Sequence, residues 1–188
     1  MPRIAMIGAG SIVFCKTLMM DIMSTEATAD STFVLMSPTA EKLKRLEAYA
    51  QRIVSENGLP SSILATTDRR EALRDADYVI LMFQIGGVDA FQIDYEVPLK
   101  YGVDQCIGDS MNPGGIFRSL RSIPVLVDIV KDMKELCPNA LILNYVNPMA
   151  VCCWTLGEAG ATRFVGLCHG VQTTLDLISR YVGVKKEE

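Results

Sequence analysis

Short β-forming runs alternate with helical stretches along the whole 188-residue chain, and the first run leads straight into a glycine turn. The runs cover residues 3–7, 32–36, 62–66, 78–83, 140–144 and 163–167. Parallel strands need a long crossover between them, and a helix is the usual one. The rhythm therefore predicts an α/β fold: a Rossmann-like, doubly wound, mainly parallel sheet with helices on both faces. Residues 40–57 place Leu43, Leu46, Ala50, Ile53 and Val54 three or four apart, which lines one helical face, and Gly58 follows as a stop. Residues 116–136 repeat that spacing at Leu120, Ile123, Leu126, Val127 and Val130, with Pro124 predicting a kink. Residues 86–115 break the rhythm. Gly86-Gly87, Gly102 and Pro113-Gly114-Gly115 make this segment read as a long functional loop insert. Nothing resembling a linker interrupts the sequence, so residues 1–188 are expected to form one domain.

The first strand runs into Gly8-Ala9-Gly10-Ser11 and then a helix over residues 12–23. Gly8 permits a tight turn, and Gly10 lets the backbone come close to a pyrophosphate. The helix start at Ser11 and Ile12 supplies free N–H groups and a partial positive charge. Val13 occupies the place of the usual third glycine. A glycine pair after an N-terminal strand, opening a helix and followed by further βα units, predicts a dinucleotide site. The second strand ends Leu35-Met36-Ser37-Pro38, where an acid normally holds the adenosine ribose hydroxyls. Ser37 offers one hydrogen bond in its place and repels a 2′-phosphate less. At this level the choice between NAD and NADP stays open.

Near the other end, Phe164-Val165-Gly166-Leu167 reads as a late strand that ends in Cys168-His169, and His169 is the only histidine. A thiolate can hold a metal, and an imidazole can carry a proton near neutral pH. The two lie at the carboxyl end of a strand, where open α/β sheets place their ligands. Composition narrows the setting further. With 49% hydrophobic and 21% charged residues the chain can bury a substantial core. The net charge of -4, with no basic cluster longer than Lys185-Lys186, argues against a nucleic-acid surface. The apolar runs are too short for a bilayer, and the N-terminus lacks a signal-peptide core. The six cysteines include no Cys-x-x-Cys pair, so reduced thiols and a cytoplasmic location are expected.

Three further stretches, taken with the glycine turn and Gly166-Leu167-Cys168-His169, resemble glycoside hydrolase family 4, the NAD- and metal-dependent glycosidases. They are Phe83-Gln84-Ile85-Gly86-Gly87, Asp109-Ser110-Met111-Asn112-Pro113-Gly114-Gly115-Ile116 and Asn144-Tyr145-Val146-Asn147-Pro148-Met149-Ala150. The last is especially similar to the α-galactosidase branch. The resemblance implies NAD and Mn²⁺ (or another divalent ion) as cofactors and a small glycoside as substrate. It implies oxidation at C3 of the sugar, loss of the C2 proton, elimination of the aglycone, water addition and reversal, an exception to two-carboxylate glycoside hydrolysis. By motif match Cys168 would be a metal ligand, and His169 the acid that assists the leaving group. Asn147 would hydrogen-bond the sugar near C3, and Asp109 would raise the basicity of the family's catalytic tyrosine. The resemblance leaves a homo-oligomer open.

The chain departs from that pattern at Ser37, at Asn112 (where a glycine is usual) and in length. Family members are well over twice as long, with the second metal ligand and the catalytic tyrosine beyond residue 188. Residues 1–188 alone are therefore expected to bind NAD without efficient hydrolysis, as a fragment or a truncated product. The alternatives are a lactate/malate-type 2-hydroxyacid dehydrogenase and a non-enzymatic nucleotide-binding remnant. The former also carries an Asn-Pro after the same strand, but it relies on a loop arginine that residues 86–112 lack.

Overall fold

Along the first strand, side chains bury alternately on two sides: Ala5 and Ile7 on one, Ile4 and Met6 on the other. A strand sends successive side chains to opposite faces, so both faces of this one must be covered. The computed structural model describes residues 1–10, 12–105 and 112–185. Its strands are β1 (Arg3–Ile7), β2 (Thr32–Met36), β3 (Ser62–Thr66), β4 (Tyr78–Leu81), β5 (Leu141–Asn144) and β6 (Phe164–Gly166). They form one parallel sheet in the order β3-β2-β1-β4-β5-β6. The chain winds outward from β1 to β3, then crosses back to β4 and winds the other way. The α/β, Rossmann-like, doubly wound fold read from the sequence is the one observed.

Helices α1 (Ile12–Ser24) and α2 (Ala40–Glu56) cover one face, burying Cys15, Met19, Leu43 and Leu46 against Met6, Phe33 and Leu35. On the other face lie α3 (Arg69–Leu73), α5 (Pro113–Leu136) and α6 (Met149–Glu158). There Leu73, Leu126, Ile129 and Leu156 pack on Val79, Leu81 and Ile142. Helix α7 (His169–Val182) follows β6 with Val171, Leu175, Ile178 and Val182 exposed. No helix among the described residues is long and apolar enough to cross a membrane.

Part of residues 86–115 is helix rather than the long loop that their glycines predict. Helix α4 (Gly87–Leu99) fills much of the segment and packs on α5. The pattern hid it because the helix is turned the unexpected way. Val88 and Ile93 are exposed, whereas Asp94 is completely buried. The Arg121 guanidinium of α5 donates to both Asp94 oxygens, at 2.7 and 2.5 Å, a bidentate pair that holds the two helices together. Gln105 strengthens the joint, donating to the Asp94 carbonyl at 2.8 Å while its Oε1 accepts from the Gly114 N–H at 3.2 Å. Helix α5 starts three residues earlier than its apolar spacing suggests and runs through Pro124 as one element.

Asn112 accounts for that early start. Its side chain accepts a hydrogen bond from the Gly115 N–H at 2.7 Å, the bond of a helix N-cap. The residue that departs from the glycine usual in the resembled pattern thus has a local use. Asn112→Ala should lower stability by about 1 kcal/mol, read as a reduced urea midpoint at constant slope. An unchanged midpoint would show that the cap contributes nothing.

The core also fixes an alkaline limit. Burial pushes the Cys15 thiol from its ordinary 9.0 up to about 12, and the Cys152 thiol, buried beside Cys153, likewise. Between about pH 9 and pH 12 the unfolded chain sheds thiol protons that the folded chain keeps. The folded state then binds more protons, so stability falls as pH rises, by up to about 1.4 kcal/mol per pH unit from Cys15 alone. Urea midpoints at pH 8 and pH 10.5 should differ in that direction, and Cys15→Ala should flatten the difference.

Candidate functional site

A cleft of about 770 Å³ opens over the carboxyl ends of β1, β2, β4 and β5, at the point where the strand order reverses. In open α/β sheets that crevice is the ligand site. Gly8 and Gly10 line one stretch of it, Ser37 and Lys42 the stretch beyond β2, and Phe83 and Gln84 the stretch beyond β4. Tyr145 and Asn147 contribute from beyond β5, and Arg118 and Ile129 from α5. Among the described residues the charged ones that line it are Lys42, Arg69 and Arg118, and none of them is an Asp or Glu.

The turn after β1 has no room for a side chain at Gly8 and little at Gly10. Gly8 has φ +96°, and a Cβ on it would lie 2.7 Å from the Met82 carbonyl oxygen and 2.9 Å from Phe83 Cβ. Its N–H and that of Ala9 both donate to the Met36 carbonyl, at 3.0 and 2.9 Å, which pins the turn to the end of β2. A Cβ on Gly10 would lie 3.0 Å from Ser37 Oγ. Helix α1 starts immediately afterwards with no acid in its first turn, so its opening N–H groups face no competing carboxylate of their own helix. A glycine turn, a helix N-terminus and a lining whose described charges are all cationic fit a dinucleotide with its pyrophosphate.

Two lining groups are oriented by neighbours. The Arg69 guanidinium is held by Asp132, whose carboxyl stays below the usual carboxylate range: burial opposes ionisation, and the Arg69 and Arg70 bonds outweigh it. Burial, with a smaller push from Asp21, raises the Tyr145 phenol, and its ring lies 6.0 Å from that of Phe14. Asn144 is buried below. Its side chain donates to the Val146 carbonyl at 3.1 Å and accepts from the Val146 N–H at 3.2 Å, shaping the strand end that presents Tyr145 and Asn147. The Asn147–Pro148 peptide is cis.

Of the residues singled out in the sequence, Gly8, Gly10, Ser37 and Asn147 share the cleft. Ile12 opens α1, and His169 opens α7; both are placed by their backbone. Cys168 is exposed at the end of β6, immediately before α7, and does not line the cleft. Ser11 and Asp109 lie outside the described residues. Among the described residues, no group of three His, Cys, Asp or Glu side chains could hold a metal ion. Mn²⁺ prefers several hard donors, so one thiol does not make its site, and the described residues do not fit a complete metal centre.

Sequence reasoning missed Lys42, Arg69 and Arg118. For Arg118 a signal exists: it falls four and eight residues before Ser122 and Leu126, on the stripe of α5 that is otherwise buried. A cation on such a stripe needs a reason, and the cleft provides one. Lys42 and Arg69 sit among other basic residues in surface-like stretches, which masks them.

The sequence model of the family 4 glycosyl hydrolases matches residues 3–184. The chain belongs to that family. This family 4 chain is 45% identical over 187 residues to an α-galactosidase of Rhizobium meliloti, covering 99% of itself and 38% of that relative. With an α-galactosidase of Bacillus subtilis it shares 38% over 188 residues, covering all of itself and 44% of the relative. The chain thus spans about two fifths of the length of the curated relatives it matches. Its fold superposes on a 6-phospho-β-glucosidase from Thermotoga maritima, crystallised with manganese, NAD⁺ and glucose 6-phosphate, with a TM-score of 0.85. That pair shares 24% identity and covers 100% of this chain and 44% of the other. The family 4 match displaces the 2-hydroxyacid dehydrogenase reading.

Proposed function

We propose that residues 1–188 are the dinucleotide-binding part of a family 4 glycosidase acting on α-galactosides. The observation that carries this reading is the single cleft that holds both the Gly8–Gly10 turn and Asn147. The 45% identity to an α-galactosidase supports the sugar class. When bound, the nicotinamide cofactor supplies hydride acceptance and return at C3 of the sugar. The chain's own residues do the positioning. The Gly8–Gly10 turn, Ser11 and Ile12, at which α1 opens, carry the pyrophosphate on backbone N–H groups. The Asn147 amide, with both donors and an acceptor, hydrogen-bonds the sugar hydroxyls beside C3. His169, at the first turn of α7, gives a proton to the departing aglycone oxygen and takes one back from the incoming water. Asp109 raises the basicity of the base that removes the C2 proton. Cys168 is one donor toward a divalent ion, and the described residues do not supply the others.

Two measurements test this. Calorimetry of residues 1–188 should show dinucleotide binding, while hydrolysis of a nitrophenyl α-galactoside with NAD⁺, Mn²⁺ and a reductant stays at background. Fusing residues 1–188 to the remaining length of the Rhizobium meliloti relative should give NAD⁺-dependent hydrolysis without net NADH. Net accumulation of NADH would overturn the reading, and so would turnover by residues 1–188 alone.

A further inference from the structure

The end of β2 departs from an NAD site in more than the loss of one acid. Where a carboxylate would bridge the two ribose hydroxyls stands Ser37, buried, with its Oγ accepting from the Thr39 N–H at 3.3 Å. That hydroxyl lies directly beneath Gly10, 3.0 Å from where a Cβ on the glycine would be. The adenosine end of a ligand laid over the turn therefore reaches Ser37 first. Lys42, in the first turn of α2, passes its aliphatic stem 3.8 Å from the same point and lines the cleft. Arg69 lines it from the start of α3, with Asp132 fixing its guanidinium by Nε and Nη2. Helix α2 opens just after Thr39, whose side chain makes no cap bond, so the first-turn N–H groups are left for another acceptor. The nearby acid, Glu41, is exposed, paired with Arg45 at 2.6 Å, and does not line the cleft.

A serine, a lysine and a 17-residue helix's N-terminus at the end of β2, with Arg69 on the same cleft, make poor company for a bare diol and good company for a dianion. We infer that this end of the cleft recognises a ribose 2′-phosphate, so that the chain binds NADP more tightly than NAD. The inference rests on the dinucleotide reading above and goes further, because it assigns Ser37, Lys42 and Arg69 as the groups that set cofactor preference. Ser37 and the α2 N–H groups hydrogen-bond the phosphate oxygens. Lys42 and the Arg69 donors that Asp132 does not take offset its charge, and no carboxylate among the described lining residues repels it as an NAD site would.

Calorimetry on residues 1–188 with NAD⁺ and NADP⁺ at two salt concentrations decides the matter. NADP⁺ should bind at least tenfold more tightly at low salt, with the advantage shrinking as salt rises, since both cations are partly exposed. Adenosine 2′,5′-bisphosphate should compete better than adenosine 5′-monophosphate. Ser37→Asp should reverse the preference, and Lys42→Ala should weaken NADP⁺ about three- to tenfold with NAD⁺ unchanged. If Ser37→Asp does not fold, Lys42→Ala and the salt series still decide. NAD⁺ binding as tight as or tighter than NADP⁺ overturns this inference and leaves the dinucleotide reading intact. Silence with both ligands at millimolar concentration overturns both.

Discussion

Replacing Arg121 by alanine is expected to destabilise the chain by about 3–5 kcal/mol, because it strands a buried carboxylate. The Asp94 side chain is 1% exposed, while that of Arg121 is 28% exposed and can still reach water. Removing the arginine should therefore cost more than Asp94→Ala, which leaves behind a cation that water can solvate. Asp94→Leu combined with Arg121→Leu should recover much of the loss, since an apolar pair leaves no charge unmatched. Urea unfolding of the three variants measures this. A loss below about 1 kcal/mol for Arg121→Ala would mean that the pair acts like an ordinary surface ion pair.

Gly8→Ala is expected to lower dinucleotide affinity at least a hundredfold and stability by about 2–4 kcal/mol. The left-handed backbone and the Met82 carbonyl, 2.7 Å from the new carbon, act together, and neither is a flexible side chain that could step aside. Gly10→Ala provides the contrast. Its methyl would meet the Ser37 hydroxyl at 3.0 Å, a group on a rotatable bond, so the fold should suffer less while the approach to the pyrophosphate is still obstructed. Urea titration and calorimetry on the same samples separate the two effects. Full affinity in Gly8→Ala would place the ligand elsewhere.

The strands were legible because each is a short apolar run bounded by turn residues, and their parallel arrangement under helices on both faces followed from the alternation with helices. β1, β2 and β3 match the expected residues throughout, while β4, β5 and β6 lose one or two at their ends, where ladder bonds stop before apolarity does. Helix α4 was illegible because periodicity assumes that apolar side chains turn inward, and there a carboxylate does so. The glycine turn was readable because its backbone leaves no room for other residues at Gly8, whereas Asn147 was reached only through the motif that carries the resemblance. Lys42, Arg69 and Arg118 come together only through tertiary folding, from helices that are distant in the sequence. Cys168 shows the reverse limit: a motif singled it out, yet the cleft does not include it.

That placement has a practical side. Cys15, Cys137 and Cys152 are sealed inside the protein, Cys153 is half-covered, and Cys168 stands in the open where α7 begins. With Cys106 changed to serine, a maleimide dye or spin label would attach chiefly at this one spot, just ahead of the lone imidazole. The chain therefore carries its own reporter position for watching the sheet's far end as a ligand settles in. The same openness makes air a hazard, since unprotected stocks would cross-link in pairs through that sulfur.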